Sequence, residues 1–201
     1  NYMSVGTSKG LSRLALALSH TLSPAGVAVI LMAILALRGA NGGGLTPSMA
    51  LGGSFAFAMF PALVLLVMAR VSGTSDVYDP APTVRRRMLL AGTSCYIMSY
   101  VIFHIAGENP VMGWVGATFI AGAAVVWSID RFWKISIHNT GAGGGAVLLA
   151  EVAPELWLLW IMLPIVVGWA RWHRGAHDLP QLAAGAAVGG ILAQMLKGSY
   201  L

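Results

Sequence analysis

Three segments far apart in the chain carry residue types that could grip and cleave a phosphate ester. The first is Ser75-Asp76-Val77-Tyr78-Asp79-Pro80-Ala81-Pro82-Thr83-Val84-Arg85-Arg86-Arg87. The second is Lys134-Ile135-Ser136-Ile137-His138-Asn139. The third is Ala170-Arg171-Trp172-His173-Arg174-Gly175-Ala176-His177-Asp178-Leu179-Pro180-Gln181. Ester hydrolysis at phosphorus without a metal needs cations on the non-bridging oxygens, a nucleophile, and an acid for the leaving oxygen. Arginine offers paired donors to phosphate oxygens, and histidine can serve as nucleophile or acid near neutral pH. His173 and His177 have a metal-ligand spacing but no matching carboxylate, so zinc fits poorly. The lone Cys95 excludes an internal disulfide and any cysteine-based zinc site. Neither a metal nor a cofactor is expected.

The rest of the chain must hold these segments in a membrane. Of 201 residues, 57% are hydrophobic and 9% charged, against about 25% charged in soluble domains. Mean hydropathy is +0.76. A soluble globular domain, a disordered chain and a coiled coil are all excluded. What remains is an all-α polytopic transmembrane helix bundle, one domain over residues 1–201. The net charge of +5 comes without a long basic run or an aromatic-interleaved patch, so nucleic acid is not an expected partner. Asn1 and Tyr2 ahead of Met3 read as an expression remnant, and no cleavable signal is evident.

About seven apolar segments can be read, six to seven of them spanning. They run near Leu14–Leu37 with a kink at Ser23-Pro24, then Met49–Ala69, Met88–Ala106, Val111–Ile129, Ser136–Ala153, Glu155–Ala170 and Leu179–Leu196. The fifth and sixth are short. About 16 residues reach only ~24 Å of a ~30 Å hydrocarbon core, so either the bilayer thins or the polar ends sit below the headgroups, the second placing a polar site inside the interface. The Gly141–Gly145 stretch suits close helix packing. Seven spans return all three polar segments to the side of the N-terminus. That near side carries Lys9, Arg13, Arg70, Arg85, Arg86, Arg87, Arg131, Lys134, Arg171 and Arg174; the far side carries Arg38 and Lys197. The bias predicts a near side in the cytoplasm, in an inner or plasma membrane. Each polar segment is expected at the start of an odd-numbered span, where helix N-termini favour anions.

The pattern resembles the type 2 phosphatidic acid phosphatase superfamily of membrane lipid phosphatases, whose motifs are Lys-x6-Arg-Pro, Pro-Ser-Gly-His and Ser-Arg-x5-His-x3-Asp. Arg171 and His177 reproduce Arg-x5-His. Ser136 and His138 reproduce Ser-x-His, with Ile135 and Ile137 in place of Pro and Gly. Arg85, or its neighbour Arg86, best fits the first-motif arginine. The likeness covers residues 76–190 and is closest to the short prokaryotic members. It implies a metal-independent hydrolase that removes phosphate from a lipid or polyprenyl phosphate or diphosphate. His177 would attack phosphorus to form a phosphohistidine. His138 would protonate the leaving oxygen and then activate water. Arg85, Arg171 and the Ser136 hydroxyl would hold the phosphoryl oxygens.

The sequence departs from that pattern in three places. Tyr78, Asp79 and Pro80 stand where a lysine is usual, with Lys134 the candidate to replace it in space. The middle motif lacks its Pro and Gly. Gln181 replaces the carboxylate four residues after His177. A glutamine can orient the ring but cannot stabilise an imidazolium as an anion does, so a weaker nucleophile is expected.

Other readings compete. Isolated interfacial histidines are often anchors, and His20 and His104 read as packed or interfacial. His173 reads as a neighbour of the site. Arg86 and Arg87 also suit headgroup or topology anchors. The seven tryptophans suit the interfacial belt, the methionines read as core, and Glu151 and Glu155 receive no role. A non-catalytic lipid-phosphate binder or transport protein would use the same basic pocket. Asp76-Val77-Tyr78-Asp79 suggests a magnesium-dependent membrane prenyltransferase, but that chemistry needs a second acidic loop, only Asp130 remains as a near-side acid before the last loop, and the chain is too short. The expected partners are the bilayer and its lipid or isoprenoid phosphates. The oligomeric state cannot be read from the sequence.

Overall fold

A computed structural model describes residues 9–39, 45–74, 80–105 and 109–201. Among them eight helices follow one another: α1 Lys9–Thr21, α2 Pro24–Arg38, α3 Pro47–Val71, α4 Pro82–Ile105, α5 Pro110–Ile129, α6 Ile137–Val152, α7 Pro154–His173 and α8 Leu179–Lys197. Proline opens α2, α3, α4 and α5, where its missing N–H costs nothing and its fixed φ suits the first turn. Ser23, Thr46, Asn109, Ser136 and Asp178 cap α2, α3, α5, α6 and α8 with a side-chain oxygen. Inside α3 the residues Phe55–Met59 widen into a π turn just ahead of Pro61, a common way to absorb a proline within a helix.

The chain is an integral membrane bundle. The helices α3, α4, α5, α7 and α8 are each long and apolar enough to cross a bilayer. The pair α1–α2, bent by 61° at Ser23-Pro24, makes a sixth span if counted as one. Large apolar side chains such as Leu51, Met59, Ile102, Leu158 and Ile165 stand exposed on the outer faces, a surface that water would not tolerate and lipid requires. The 16-residue α6 is the short fifth segment, and it is the central helix. It lies against α2, α5, α7 and, most closely, α8.

Glycine makes that contact possible. A Cβ on Gly143 would fall 2.2 Å from the Ala186 carbonyl oxygen, one on Gly189 2.0 Å from Thr140 O, and one on Gly185 2.6 Å from Ser136 O. The backbones of α6 and α8 therefore touch. At the far end the two basic groups are neutralised. Arg38 pairs with Glu155, and Lys197 Nζ donates to Glu151 at 2.6 Å. These glutamates thus have a role the sequence did not reveal: they pair with Arg38 and Lys197.

Two boundaries differ from the sequence reading. The helix α4 begins at Pro82, so Arg85, Arg86 and Arg87 are helical and not in a loop. The helix α7 runs to His173, so Arg171 sits in a helix C-terminal turn and not at the start of a span. The Ser23-Pro24 kink is present, and it is sharp enough to make two helices.

Candidate active site

The near-end site is assembled by two helix termini and one turn. Ser136 caps α6: its hydroxyl accepts the Asn139 N–H at 3.3 Å, which leaves its own proton available to donate. His138 and Asn139 follow in the first turn, both buried. Asn139 Nδ2 donates to Leu182 O at 3.0 Å, and Ser136 N to Gln181 O at 3.4 Å, tying the start of α6 to the start of α8.

The third segment owes its geometry to a helix-stop followed by a helix-start. Gly175 has φ +67°. Its N–H bonds Trp172 O at 2.8 Å, and Ala176 N–H bonds Arg171 O at 3.0 Å. This is the paired closure that ends a helix on a left-handed glycine. The chain then tucks Ala176 and His177 inward, and Asp178 caps α8 through Gln181 N at 2.9 Å. The six-residue offset from Arg171 to His177 is the length of that turn. Arg171 is 0% exposed, too deep to serve as a surface anchor.

Gln181 fixes the tautomer of His177. Gln181 Oε1 lies 2.8 Å from His177 Nδ1 and 3.4 Å from Asp178 N. An amide oxygen only accepts, so Nδ1 carries the proton and Nε2 holds a lone pair. Nε2 is buried and has no hydrogen-bond partner among the described residues. Burial, aided by the charges of Arg85, Arg171 and Lys134, lowers the His177 pKa to about 4, against the opposing effect of the Gln181 hydrogen bond. The imidazole is neutral at pH 7, as a nucleophile must be. His138 lies within electrostatic range of Arg171, His177, Arg85 and Arg174, so the two histidines share one cationic surround.

Arg85 enters from α4. Its Nε donates to Asp130 Oδ1 at 2.8 Å and its Nη2 to Ile135 O at 2.6 Å. Asp130 ends α5, and Ile135 precedes the Ser136 cap, so this arginine joins three elements. Sequence reasoning missed Asp130 in this part. The only signal was an acid closing an apolar span beside a basic loop. Asn139 was also missed; it follows His138 in the motif, but nothing in the sequence announced its bond to Leu182.

The structure brings together Ser136, His138, Arg171, His177, Gln181 and Arg85, with half-buried Lys134 near enough to act on His177. It separates Arg86, which is exposed and donates to Arg131 O at 3.3 Å. Between the two candidates for the first-motif arginine, the buried one is Arg85. Residues 75–79, with the Asp76–Asp79 motif and two of the three positions where a lysine is usual (Tyr78 and Asp79), lie outside the described residues. Asp130, the second acid a magnesium site would need, is committed to Arg85. Among the described residues no three His, Cys, Asp or Glu side chains gather where a metal ion could be held.

A cleft of about 890 Å³, counting the space at its mouth, borders this site. Arg85 and His138 are the two site residues that line it. Pro24, Leu65, Met88, Leu89 and Tyr96 make its walls. A cation and a histidine on an otherwise largely apolar lining suit an amphiphile with an anionic head. Against protein-family models, curated proteins and solved structures the chain has no match.

Proposed function

We propose that the chain is a membrane phosphatase acting on a lipid or polyprenyl phosphate or diphosphate through a phosphohistidine, without a metal. The observation that carries the reading is the His177 ring: neutral, buried, its Nδ1 proton held by Gln181 and its Nε2 lone pair unpartnered among cations. The headgroup phosphate sits between Arg85, Arg171 and the Ser136 hydroxyl, and the apolar tail lies in the cleft. Nε2 of His177 attacks phosphorus as the P–O bond to the lipid breaks. His138 gives its proton to the departing oxygen. The incoming dianion offsets the arginine charges and so favours the protonated His138 that this step needs. Neutral His138 then takes a proton from water; the hydroxyl attacks phosphorus, the P–N bond breaks, and phosphate leaves. The basic near end faces the cytoplasm and the end that holds Arg38 and Lys197 the opposite side.

One observation favours a second reading, a lipid-phosphate binder that does not turn over. Gln181 supplies no negative charge to steady a developing imidazolium. Phosphate release from a panel of lipid phosphates in EDTA, with His177→Ala and His138→Ala alongside, separates the two. Release that both substitutions abolish supports the phosphatase. Binding without release supports the binder. Turnover that continues unchanged in either variant removes that histidine from the mechanism.

A further inference from the structure

A second basic feature lies on the outside of the bundle, apart from the His177 site. Arg86 and Arg87 occupy the near-end start of α4, with Leu90 one turn deeper. Trp127 in the last turn of α5, and Arg131 and Phe132 just beyond it, form the opposite wall of an open groove. Arg85 points inward from the same turn of α4. Its neighbours are rotated about 100° and 200° around the helix and face out.

The groove is ordered rather than a loose patch of charge. The Arg131 guanidinium carbon lies 3.9 Å from the centroid of the Trp127 ring, a cation–π contact that fixes its height. Arg86 Nη2 donates to the Arg131 carbonyl oxygen, which orients a second guanidinium and leaves its other donors outward. Arg87 makes no hydrogen bond or ion pair with any described residue. Asp130, the acid beside Arg131 in sequence, is turned inward to Arg85. One turn deeper than Arg86 and Arg87, Leu90 is 53% exposed and continues the lipid-facing surface of α4; beside Arg131, Phe132 is 91% exposed.

We propose that this groove binds an anionic phosphodiester lipid of the near leaflet, held as a resident ligand and not as a substrate. The phosphodiester bridges Arg86, Arg87 and Arg131, where fork-shaped donors match its two free oxygens. One acyl chain lies along Leu90 and the Trp127 face. A soluble anion would gain from the arginines alone; a lipid gains from these apolar side chains as well. No step of the hydrolysis involves these residues, so the site stands or falls independently of the phosphatase reading.

The test uses the full chain in phosphatidylcholine vesicles that contain a small fraction of chain-brominated lipid. The Trp127→Phe difference isolates the fluorescence of Trp127. Brominated phosphatidylglycerol should quench Trp127 as though enriched about tenfold over brominated phosphatidylcholine at equal fraction. The preference should disappear in Arg86→Gln/Arg87→Gln/Arg131→Gln. Arg87→Gln alone touches no internal bond, so it preserves the fold and should cut the preference several-fold. As a second measurement, native mass spectrometry from detergent should find one phosphatidylglycerol fewer per chain in Arg87→Gln. Equal quenching by the two lipids, or retention unchanged by Arg87→Gln, overturns the proposal. So does displacement of the lipid by millimolar glycerol phosphate, which would make this a site for free anions.

Discussion

Arg85 and Asp130 form a buried ion pair, Nε to Oδ1 at 2.8 Å, with side chains only 7% and 4% exposed. Because Arg85 also bonds the Ile135 carbonyl, this pair fixes where α4 and the end of α5 meet the entry to α6. Removing one partner strands a charge in a low-dielectric interior. Asp130→Ala should therefore cost about 3–5 kcal/mol, read as an earlier thermal unfolding transition in detergent. Asp130→Asn keeps an acceptor and should cost less. The double change Arg85→Met/Asp130→Leu, which removes both charges, should recover much of the stability while abolishing phosphate release. A double variant no more stable than Asp130→Ala would mean that the pair is not what holds this corner.

His177 and Gln181 set the pH behaviour. The folded His177 pKa, about 4, lies below the ordinary value of 6.5, so the unfolded chain takes up the proton first. Its contribution to stability is complete above about pH 6.5 and is lost as acid carries the pH down towards 4. On the acid side turnover should likewise hold until the pH approaches 4. Gln181→Glu keeps both accepted hydrogen bonds and adds a charge. It should raise the His177 pKa, move the acid limb upward and speed the chemical step. Gln181→Ala frees the tautomer and should slow turnover by about a hundredfold. Nitrogen-15 histidine spectra against pH give the pKa directly. A His177 that titrates at its ordinary value would refute the assignment.

How much of this could be read from the amino acids follows from range. The seven apolar segments and the kink at Ser23-Pro24 are local, written in hydropathy and proline, and each has its counterpart among the helices. Arg171, Ser136, His138 and His177 are legible as candidates because their spacing is set locally, by a helix cap and by one turn. Asp130 was not, because its partner is 45 residues away in sequence and an acid after an apolar run looks like any span end. The choice between Arg85 and Arg86 also escaped. It depends on which side of α4 faces inward, and all three consecutive arginines look alike until α5 and α6 are in place. Glu151 and Glu155 gained a purpose only once Arg38 and Lys197 were seen beside them.

Orientation can be checked outside the site. Thr83 is exposed in the first turn of α4 at the near end, and Ser199 is exposed beyond α8 at the far end. In a Cys95→Ala background, an impermeant thiol reagent applied to intact cells should label Ser199→Cys and miss Thr83→Cys until the membrane is opened. The reverse pattern would put the basic end outside and contradict the charge bias.

The last prediction separates packing from chemistry. Along the α6–α8 contact a methyl group has nowhere to go. On Gly189 it would sit 2.0 Å from the Thr140 carbonyl oxygen, and on Gly143 2.2 Å from that of Ala186. Neither neighbour is a flexible side-chain tip, so the helices themselves must part. Gly189→Ala or Gly143→Ala should cost roughly 1–3 kcal/mol or more. It should also loosen the Ser136–Gln181 and Asn139–Leu182 bonds that register the two halves of the site, so phosphate release should fall although no catalytic group has changed. Gly92 in α4 is the control: a Cβ there meets nothing within 4 Å, and alanine is the better helix former by about 1 kcal/mol. Gly92→Ala should be as stable as the parent or more so. If Gly189→Ala and Gly92→Ala unfold at the same temperature, backbone contact between α6 and α8 is not what aligns His138 with His177.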